Sequence, residues 1–314
     1  MGQLEDMDSF VRIVEAGSIS RAAGQLGVVK SAVSRRLMDL EMRLGVQLLN
    51  RTTRQSSLTE AGKNYYNRSV QILADVAENN AVTSNAHVTL QGMLRISAPL
   101  SFGLLHLAPA INEFAALHTG LIIHMDFNDR QMDLIEEGYD VAIRIANLKD
   151  SSLMARKLAP IRRILCASPD YITNKGMPEK PEDLKNHHIL HYANSQSVTW
   201  HLTGPDGRDH ALTLPGRMIA NNGDFLKQAA VGGLGIILSP TFIASPDIAA
   251  GKLIPVMAGY HCRHLDAYAV YPQTRHLPQR VRSIIDFLKE KFSGEPGWDV
   301  SINKSYDTML SQEK

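Results

Sequence analysis

The segment that most restricts the fold of this chain is SRAAGQLGVVKSAVSRRLMDLEMRLG, Ser20–Gly45, which contains two helical patterns. Ser20 can cap the first, a short helix of small residues, and Gly27 permits a tight turn after it. In the second pattern, apolar residues are spaced by four, three and four positions, so they lie on one face of a helix. Gly45 would end that helix. These residues are Val33, Leu37, Leu40 and Leu44.

The opposite face of the second helix is polar and basic, with Lys30, Ser31, Ser34 and Arg35. This arrangement predicts a helix-turn-helix whose second helix enters a major groove, with its first turns against base edges. An amphipathic helix whose charges are merely solvated is the alternative. The segments on both sides favour the helix-turn-helix.

One helix is predicted before this motif, over Leu4–Ala16, and a β-hairpin wing after it. The wing comes from VQLLNRTTRQSSLTEAG, whose two apolar–polar alternations flank a polar turn. In that turn, Arg51 and Arg54 would reach phosphate or the minor groove, and the hydroxyls of Thr52 and Thr53 would donate hydrogen bonds to phosphate oxygens.

A long helix should follow the wing, because Thr59 is a suitable N-cap, Glu60 falls in the first turn, and no proline interrupts the chain to about Ala86. Its apolar residues alternate by four and three positions, a seam too narrow for a globular core and suited to pairing with a second copy. We therefore expect a dimer through Tyr66, Val70, Leu73 and Ala77.

Charge is distributed unevenly along the chain. The formal net charge is only +1, yet Lys30–Arg68 contains eight basic and three acidic residues, a net charge of +5, which leaves −4 for the rest. A local basic segment on an otherwise acidic protein is typical of contact with nucleic acid.

Several classes of protein find no support in the sequence. There is no secretion signal and no apolar stretch of membrane-spanning length, so we expect a cytoplasmic protein without a membrane partner. The two cysteines, Cys166 and Cys262, suggest neither a disulfide nor a zinc site. The histidine-rich segments NHHILH and HCRH lack the spacing of metal ligands. The sequence also contains no motif for a cofactor or for an enzyme. A redox sensor at Cys262, whose basic neighbours would lower the thiol pKa, is an alternative.

From about Gly92 onward, short apolar runs alternate with helical segments, which predicts an α/β region with largely parallel strands, although composition does not separate one sheet from two. Ligands collect at the carboxyl ends of such strands. Candidate effector-binding residues there are Ser101, Phe102, Asn128 and Arg144. Three of them have a structural alternative: Ser101 would cap a helix, Asn128 would form a turn, and Arg144 would form a salt bridge to Asp126 or Asp140. Two aromatic residues, Trp200 and Tyr192, would either stack on an aromatic ligand or pack in a core.

The chain resembles the LysR-type transcriptional regulators. Matching elements are FVRIVEAGSISRAA, AVSRRLMDLE, LGVQLLNRTTR and LTEAG in the N-terminal part, and GMLRISAP, GYDVAIRIANLKDSSLMARKL, CASPDYI and GGLGIILSP in the C-terminal part. The sequence departs from the family where Val29 and Ser31 replace a common serine and proline, which weakens the expected cap of the recognition helix.

This resemblance implies an N-terminal, mostly α winged helix-turn-helix over 1–58, a linker helix over 59–89, an α/β effector domain over 90–296 and a tail over 297–314, for which loose packing is the default expectation. The effector domain would have two lobes, similar to periplasmic binding proteins, joined by crossings near Arg162–Ile164 and Asp266–Tyr268. Asn221 and Asn222 would then face the cleft. The implied partners are promoter DNA, a small-molecule effector and further copies in a homodimer or homotetramer, whereas a solute-binding protein would leave the N-terminal motif unexplained.

Overall fold

The computed structural model describes residues 2–51, 56–83, 90–130, 134, 136–147, 153–192, 197–262, 264–274 and 277–299. The chain divides into two compact units. The first is formed by residues 1–94 with 118–123 and 278–280, and the second by 95–117, 124–277 and 281–314. Each unit has its own buried core.

The N-terminal unit is built on three helices, α1 (Gln3–Ala16), α2 (Ile19–Gln25) and α3 (Lys30–Leu44). Their apolar faces meet in one core, as the spacing predicts, except that Leu44 remains 39% exposed at the end of α3. Glycines in the left-handed region end α1 and α3, at Gly17 and Gly45. The core includes Phe10, Ile13, Ala22, Ala23, Val33, Leu37 and Leu40.

The cap of α2 is Ser18, so the prediction of Ser20 is wrong. The Ser18 hydroxyl accepts a hydrogen bond from the Arg21 amide, and Ser20 lies within the helix. Both serines satisfy the sequence rule, but Ser18 has the extended backbone of an N-cap, with φ −159° and ψ 145°, whereas Ser20 is already helical. Val29 occupies the N-cap of α3 without a side-chain hydrogen bond.

The wing consists of β1 (Leu49–Arg51) and β2 (Ser56–Leu58), which pair antiparallel with Leu49 opposite Leu58. A buried carboxylate anchors its first strand: Glu41 of α3 accepts hydrogen bonds from the backbone amides of Leu48, at 2.8 Å, and Leu49, at 3.2 Å. Glu41 therefore serves the fold and is unavailable as a surface charge.

The long helix is α4 (Glu60–Thr83), and Thr59 caps it as expected, since its Oγ1 accepts from the Gly62 amide at 2.9 Å. The same hydroxyl donates to the Gln47 carbonyl at 2.7 Å and so connects the helix to the wing. Part of the predicted dimer seam is already used within the chain, because Tyr66 packs against the N-terminal core, whereas Ala77 is exposed. Residues 84–86, into which the predicted helix extends, lie outside the described ranges.

The chain from Gly92 onward contains two further sheets. One has five strands in the order β4-β3-β5-β14-β6, with bounds β3 (Gly92–Ala98), β4 (Leu121–Phe127), β5 (Val141–Ala146), β6 (Leu153–Ile161) and β14 (Leu265–Pro272). The other has seven, in the order β12-β7-β11-β8-β10-β9-β13, with bounds β7 (Arg163–Ala167), β8 (Ile189–Tyr192), β9 (Ser197–Thr203), β10 (Asp209–Ala220), β11 (Ile236–Pro240), β12 (Ile254–Pro255) and β13 (His261–Cys262).

Two sequence-based predictions about these sheets need correction. The strands are not largely parallel: β3 with β5, and β8 with β10 and β11, are parallel, while β14 pairs antiparallel with both of its neighbours. Hydrophobic runs look the same in either direction, so the sequence does not distinguish these pairings. The first crossing between the sheets is at Arg162, as expected, but the second precedes Leu265, because Asp266–Tyr268 already pairs with β5 and β6.

Helices cover these sheets. A helical run, Leu100–Leu117, has the length and mean hydropathy, 1.3, to cross a membrane, contrary to the sequence-based expectation. Within the protein 39% of this run is buried, including Phe102, Leu107, Ile111 and Phe114. The run contains a π-helical turn, Gly103–Leu107.

Six α-helices and two 3-10 turns are found in the described part of the chain after β3. The helices are α5 (Leu100–Phe102), α6 (Ala108–Leu117), α7 (Pro169–Lys175), α8 (Gly223–Val231), α9 (Thr241–Ala249) and α10 (Gln279–Lys291), and the 3-10 turns are Pro181–Asn186 and Gly297–Asp299.

Packing continues beyond residue 296, since Trp298 and Asp299, at the start of the predicted tail, contact other residues of the second unit. Trp298 stacks near His106, with ring centroids 4.4 Å apart, and buried Asp299 accepts a 2.6 Å hydrogen bond from Arg162. A glycine- and proline-containing segment thus packs because an aromatic and an acidic side chain find partners distant in sequence.

We predict that Gly62→Ala destabilises the N-terminal unit by about 2 kcal/mol or more, because overpacking a tight contact carries such a cost. A Cβ at Gly62 would lie 2.0 Å from the Leu48 carbonyl oxygen. Gly24→Ala is the matched control, since its Cβ would meet nothing within 4 Å. Hydrogen exchange of the α1 and α3 amides measures both variants, and equal protection in the two would contradict the prediction.

Candidate functional site

The outward face of α3 presents the polar residues singled out from the sequence. Lys30, Ser31 and Arg35 are exposed, and Ser34 is half-buried between them. The Arg35 side chain is 80% exposed and lies 4.0 Å from Asp39, one turn later. Such an exposed pair contributes little to stability, so the Arg35 guanidinium is available to another partner.

Two other arginines of α3, half-buried Arg36 and exposed Arg43, have partners on α1. Arg36 donates to the Ser9 hydroxyl at 3.1 Å, and Arg43 pairs with Asp6 at 2.9 Å, where the Asp6 side chain is only 7% exposed. Both contacts hold α3 against α1. The charge available to a binding partner is therefore smaller than the count of +5, and on α3 it is concentrated toward the N-terminal turns.

The wing tip completes the set of candidate DNA contacts. Arg51 ends β1, and its backbone pairs with Ser56. Thr52, Thr53, Arg54 and the side chain of Arg51 lie outside the described residues, so their predicted roles stay predictions.

In the second unit, a hydrogen bond joins the two sheet regions. Ser101, in the helical run after β3, donates to Asp224, in the first turn of α8. The cap alternative for Ser101 is wrong, because Pro99 occupies the N-cap position of α5. Asp129 lies nearby and accepts from the Leu100 amide at 3.2 Å. Burial raises the pKa of Asp129, and the Asp224 carboxylate adds to the rise, although the Leu100 amide and Arg144 oppose it.

Arg144 brings a partly buried positive charge to this region. Its Nη1 donates to the Arg130 carbonyl at 2.9 Å, while Nη2 is buried without a hydrogen-bond partner among the described residues. The salt bridge to Asp126 or Asp140, the alternative drawn from the sequence, is not formed among the described residues. Asp126 accepts from the Tyr139 hydroxyl, and Asp140 accepts from the Arg95 amide. Burial lowers the pKa of Arg144. A buried N–H without an acceptor is costly, so this guanidinium is suited to an anionic partner.

The other candidate residues separate into structural and accessible ones. The Asn128 side-chain oxygen accepts a hydrogen bond from the Arg130 amide at 2.7 Å. The Asn222 side-chain oxygen caps α8 by accepting from the Phe225 amide at 2.9 Å. Both oxygens therefore have the structural role of turn or cap residues, which was the alternative drawn from the sequence. Asn221 is exposed.

The aromatic candidates also differ. Phe102 is fully buried beside Phe242 and Trp298, so it is a core residue here, and its contact with an effector stays a prediction. Trp200 packs in the core against His191. Tyr192, in contrast, is 51% exposed, and burial of its hydroxyl, together with Asp129, raises its pKa to about 12.

Sequence reasoning missed Asp129 and Asp224. Each follows an asparagine closely after a strand, at the same kind of position as the asparagines that were selected. An acidic residue there is a weak signal by itself, because turns commonly contain aspartate. Their proximity is set by the packing of the two sheet regions.

Comparisons with known proteins decide the family. Residues 4–63 match the profile described as "Bacterial regulatory helix-turn-helix protein, lysR family", and residues 87–293 match "LysR substrate binding domain". The chain belongs to the LysR family. It is accordingly a LysR-type transcriptional regulator with a helix-turn-helix domain and an effector-binding domain, and not an enzyme.

Relatives of this LysR-type regulator cover nearly its whole length. An uncharacterised HTH-type transcriptional regulator of Haemophilus influenzae is 37% identical, covering 90% of this chain and 99% of the relative. The HTH-type transcriptional regulator CrgA of Neisseria meningitidis is 36% identical, covering 91% of this chain and 96% of CrgA. The solved structure of CrgA has a TM-score of 0.59 at 35% identity, covering 92% of this chain and 99% of that chain.

The cysteines of this regulator do not fit the redox alternative. Cys262 lies in the core of the seven-stranded sheet, where burial raises the pKa of its thiol to about 11 despite the nearby Arg163. Burial likewise raises the pKa of Cys166 to about 12. The pKa lowering on which the redox alternative depends is therefore not found, because burial outweighs the effect of Arg163. Among the described residues, no three His, Cys, Asp or Glu side chains converge to hold a metal ion.

We predict that both thiols are unreactive in the native protein. With thiol pKa values of about 11 and about 12, the thiolate fraction at pH 8 is about one in a thousand or less, and the thiolate is the reactive species. A thiol-reactive dye at pH 8 should report no rapid reaction in buffer and both cysteines in urea. A rapidly labelled native Cys262 would restore the redox alternative.

Proposed function

We propose that this regulator is a cytoplasmic homo-oligomer that binds an interrupted inverted repeat in promoter DNA and responds to a small-molecule effector. The observation that carries the DNA-binding part is the division of charge on α3. Arg36 and Arg43 hold the helix against α1, while Lys30 and Arg35 remain exposed on the opposite side. If the basic residues of α3 served only to keep the surface solvated, they would not need to be divided between a side that contacts α1 and an exposed side.

The exposed residues suit different parts of a DNA duplex. Ser34 and Arg35 lie in the second turn of α3 and are proposed to contact base edges or an adjacent phosphate, because an arginine can donate two hydrogen bonds to guanine in the major groove. Lys30 and Ser31 in the first turn, and Arg51, Thr52, Thr53 and Arg54 of the wing, are proposed to hold the backbone. Backbone contacts position the protein, and base contacts supply specificity.

Two copies are needed, because one recognition helix contacts too few bases for specificity, and half-sites should be separated by multiples of one helical turn, about 34 Å. The proposed dimer uses α4, where Ala77 is exposed and Val70 and Leu73 are half-buried. Tyr66 is largely engaged in its own chain, so the pairing surface would lie toward the C-terminal half of the helix.

We predict that Arg35→Ala reduces the preference for the regulator's own upstream region over random duplex by roughly 5- to 150-fold, the equivalent of about 1–3 kcal/mol for a lost bidentate base contact. Arg12→Ala is the control, because Arg12 carries the same charge, is 49% exposed and pairs on α1. Fluorescence anisotropy on both duplexes measures the effect.

Arg54→Ala provides the contrast, since losing a phosphate contact weakens binding to all sequences and reduces the salt slope by about 0.9. An unchanged operator preference in Arg35→Ala would remove Arg35 from base readout. If the wild-type protein did not distinguish its upstream region from random duplex, the DNA-binding proposal itself would fail.

An acidic effector is proposed to bind between the two sheet regions. The support is local: Arg144 has a buried Nη2 without a partner in the described residues, and Ser101 forms a hydrogen bond across to Asp224. A carboxylate at Arg144 would satisfy the unpaired N–H and compensate its buried charge. An effector that competes for Ser101 or Asp224 would alter the contact between the two regions.

We predict that a screen of small carboxylic acids identifies a ligand that raises the melting temperature, because binding to the folded form alone contributes about 2.7 kcal/mol at a concentration of 100 times Kd. Arg144→Gln should weaken that ligand at least about tenfold, the loss of one charge-assisted contact. Arg156→Gln is the control, since Arg156 is an exposed arginine on β6. Equal ligand affinity in the two variants would exclude Arg144 from the site.

A further inference from the structure

The polar face of α3 continues into two exposed methionines. Met38, 43% exposed, follows Ser34 by four residues and Arg35 by three, and Met42, 75% exposed, follows one turn later. Residues three or four apart lie on the same side of a helix. Both methionines therefore extend the surface that presents the proposed base-contacting residues.

Neither methionine is needed for the core of the N-terminal unit. Val33, Leu37 and Leu40 of the same helix are at most 3% exposed and form the buried face, and neither methionine belongs to that buried cluster. Single exposed apolar residues are common on protein surfaces. What distinguishes Met38 is its position in line with Ser34 and Arg35.

The major groove offers one apolar group that a methionine can recognise. Thymine alone presents a methyl group on its groove edge, and apolar side chains contact it. Methionine is unbranched and flexible, so it adapts to a methyl group at the edge of a base pair. Arginine and serine read donors and acceptors, hence a methionine beside them would add a different kind of discrimination.

Position along the helix separates the two methionines. Met38 is the ninth residue of α3, about 12 Å from its start at a rise of 1.5 Å per residue, and Met42 lies about 6 Å further on. The first turns of a recognition helix lie deepest in the groove. Met38 therefore lies one turn beyond the proposed base-contacting residues Ser34 and Arg35, and Met42 lies one turn further from the groove-facing end of α3.

We propose that Met38 contacts the C5 methyl group of a thymine in each half-site and is a specificity determinant of this regulator. This inference rests on the proposed DNA-binding function, and it assigns an apolar readout to a surface whose other candidate contacts are polar.

The test uses the full-length protein and its upstream region, first shown to bind in preference to random duplex. Each thymine of the protected half-sites is replaced in turn by deoxyuridine, which removes the methyl group and leaves base pairing unchanged. For the wild type, one thymine per half-site should be sensitive, with affinity falling about fourfold, the fold-change that corresponds to about 0.8 kcal/mol for one buried methyl group.

In Met38→Ala, both half-sites lose the contact, so affinity for the unmodified duplex should fall by about the square of that factor, roughly 16-fold. Deoxyuridine at the sensitive position should then have no further effect. Met42→Ala is the matched control and should keep the full deoxyuridine response. Hydrogen exchange of the α1 and α3 amides checks that both variants are folded, as expected for exposed side chains outside the core.

The proposal is overturned if no thymine is sensitive in the wild type, if Met38→Ala keeps the sensitivity, or if Met42→Ala loses it equally. A uniform loss of affinity on operator and random duplex in Met38→Ala would also overturn it, because Met38 would then support packing or backbone contact. A change in sedimentation in Met38→Ala would place Met38 at a contact between copies. Failure of the DNA-binding function is distinguished at the first step, where the wild type would show no preference for its upstream region, and it would remove this proposal too.

Discussion

The N-terminal unit depends on the backbone of Leu48, where three elements meet. Its amide donates to the buried Glu41 carboxylate of the recognition helix, and its carbonyl accepts from the Thr59 amide at the start of the long helix. Gly62 lies so close to the same carbonyl that a side chain would clash. One peptide segment thereby fixes the recognition helix, the wing and the long helix relative to one another.

The contacts at Leu48 explain how α3 can keep some of its basic residues against α1 and expose the others. With the wing held from one end of the helix and α1 held through Arg36 and Arg43, the helix has a defined rotation about its axis. Lys30, Arg35 and Met38 are then directed away from the core by the same packing that buries Leu37 and Leu40. Rigid support of this kind is what a groove-reading helix needs, because base contacts require placement within a fraction of an ångström.

In the effector-binding domain, the cost of burying polar groups identifies the candidate site. Burial lowers the pKa of Arg144, whose Nη2 has no hydrogen-bond partner among the described residues, while burial and the Asp224 carboxylate raise the pKa of Asp129. Groups of opposite charge in a poorly solvated region interact more strongly than they would on the surface. Such a region responds to the arrival of another charged group, which is the property that an effector site requires.

The sequence was enough to predict the helix-turn-helix and its buried face, the wing and the Thr59 cap, because these depend on local spacing and on residues with strong conformational preferences. The family followed from the resemblance of whole motifs. It also indicated the first crossing at Arg162. It did not show that Ser18 rather than Ser20 caps α2, nor that Phe102 and Trp200 are core residues, since several nearby residues satisfy the same local rule. Other features became visible only in the folded chain. They are the direction of the strands, the partners of Arg36, Arg43 and Glu41, and the hydrogen bond of Ser101 to Asp224. Those contacts join residues far apart in the chain, and their energies depend on burial and distance, which no short sequence pattern contains.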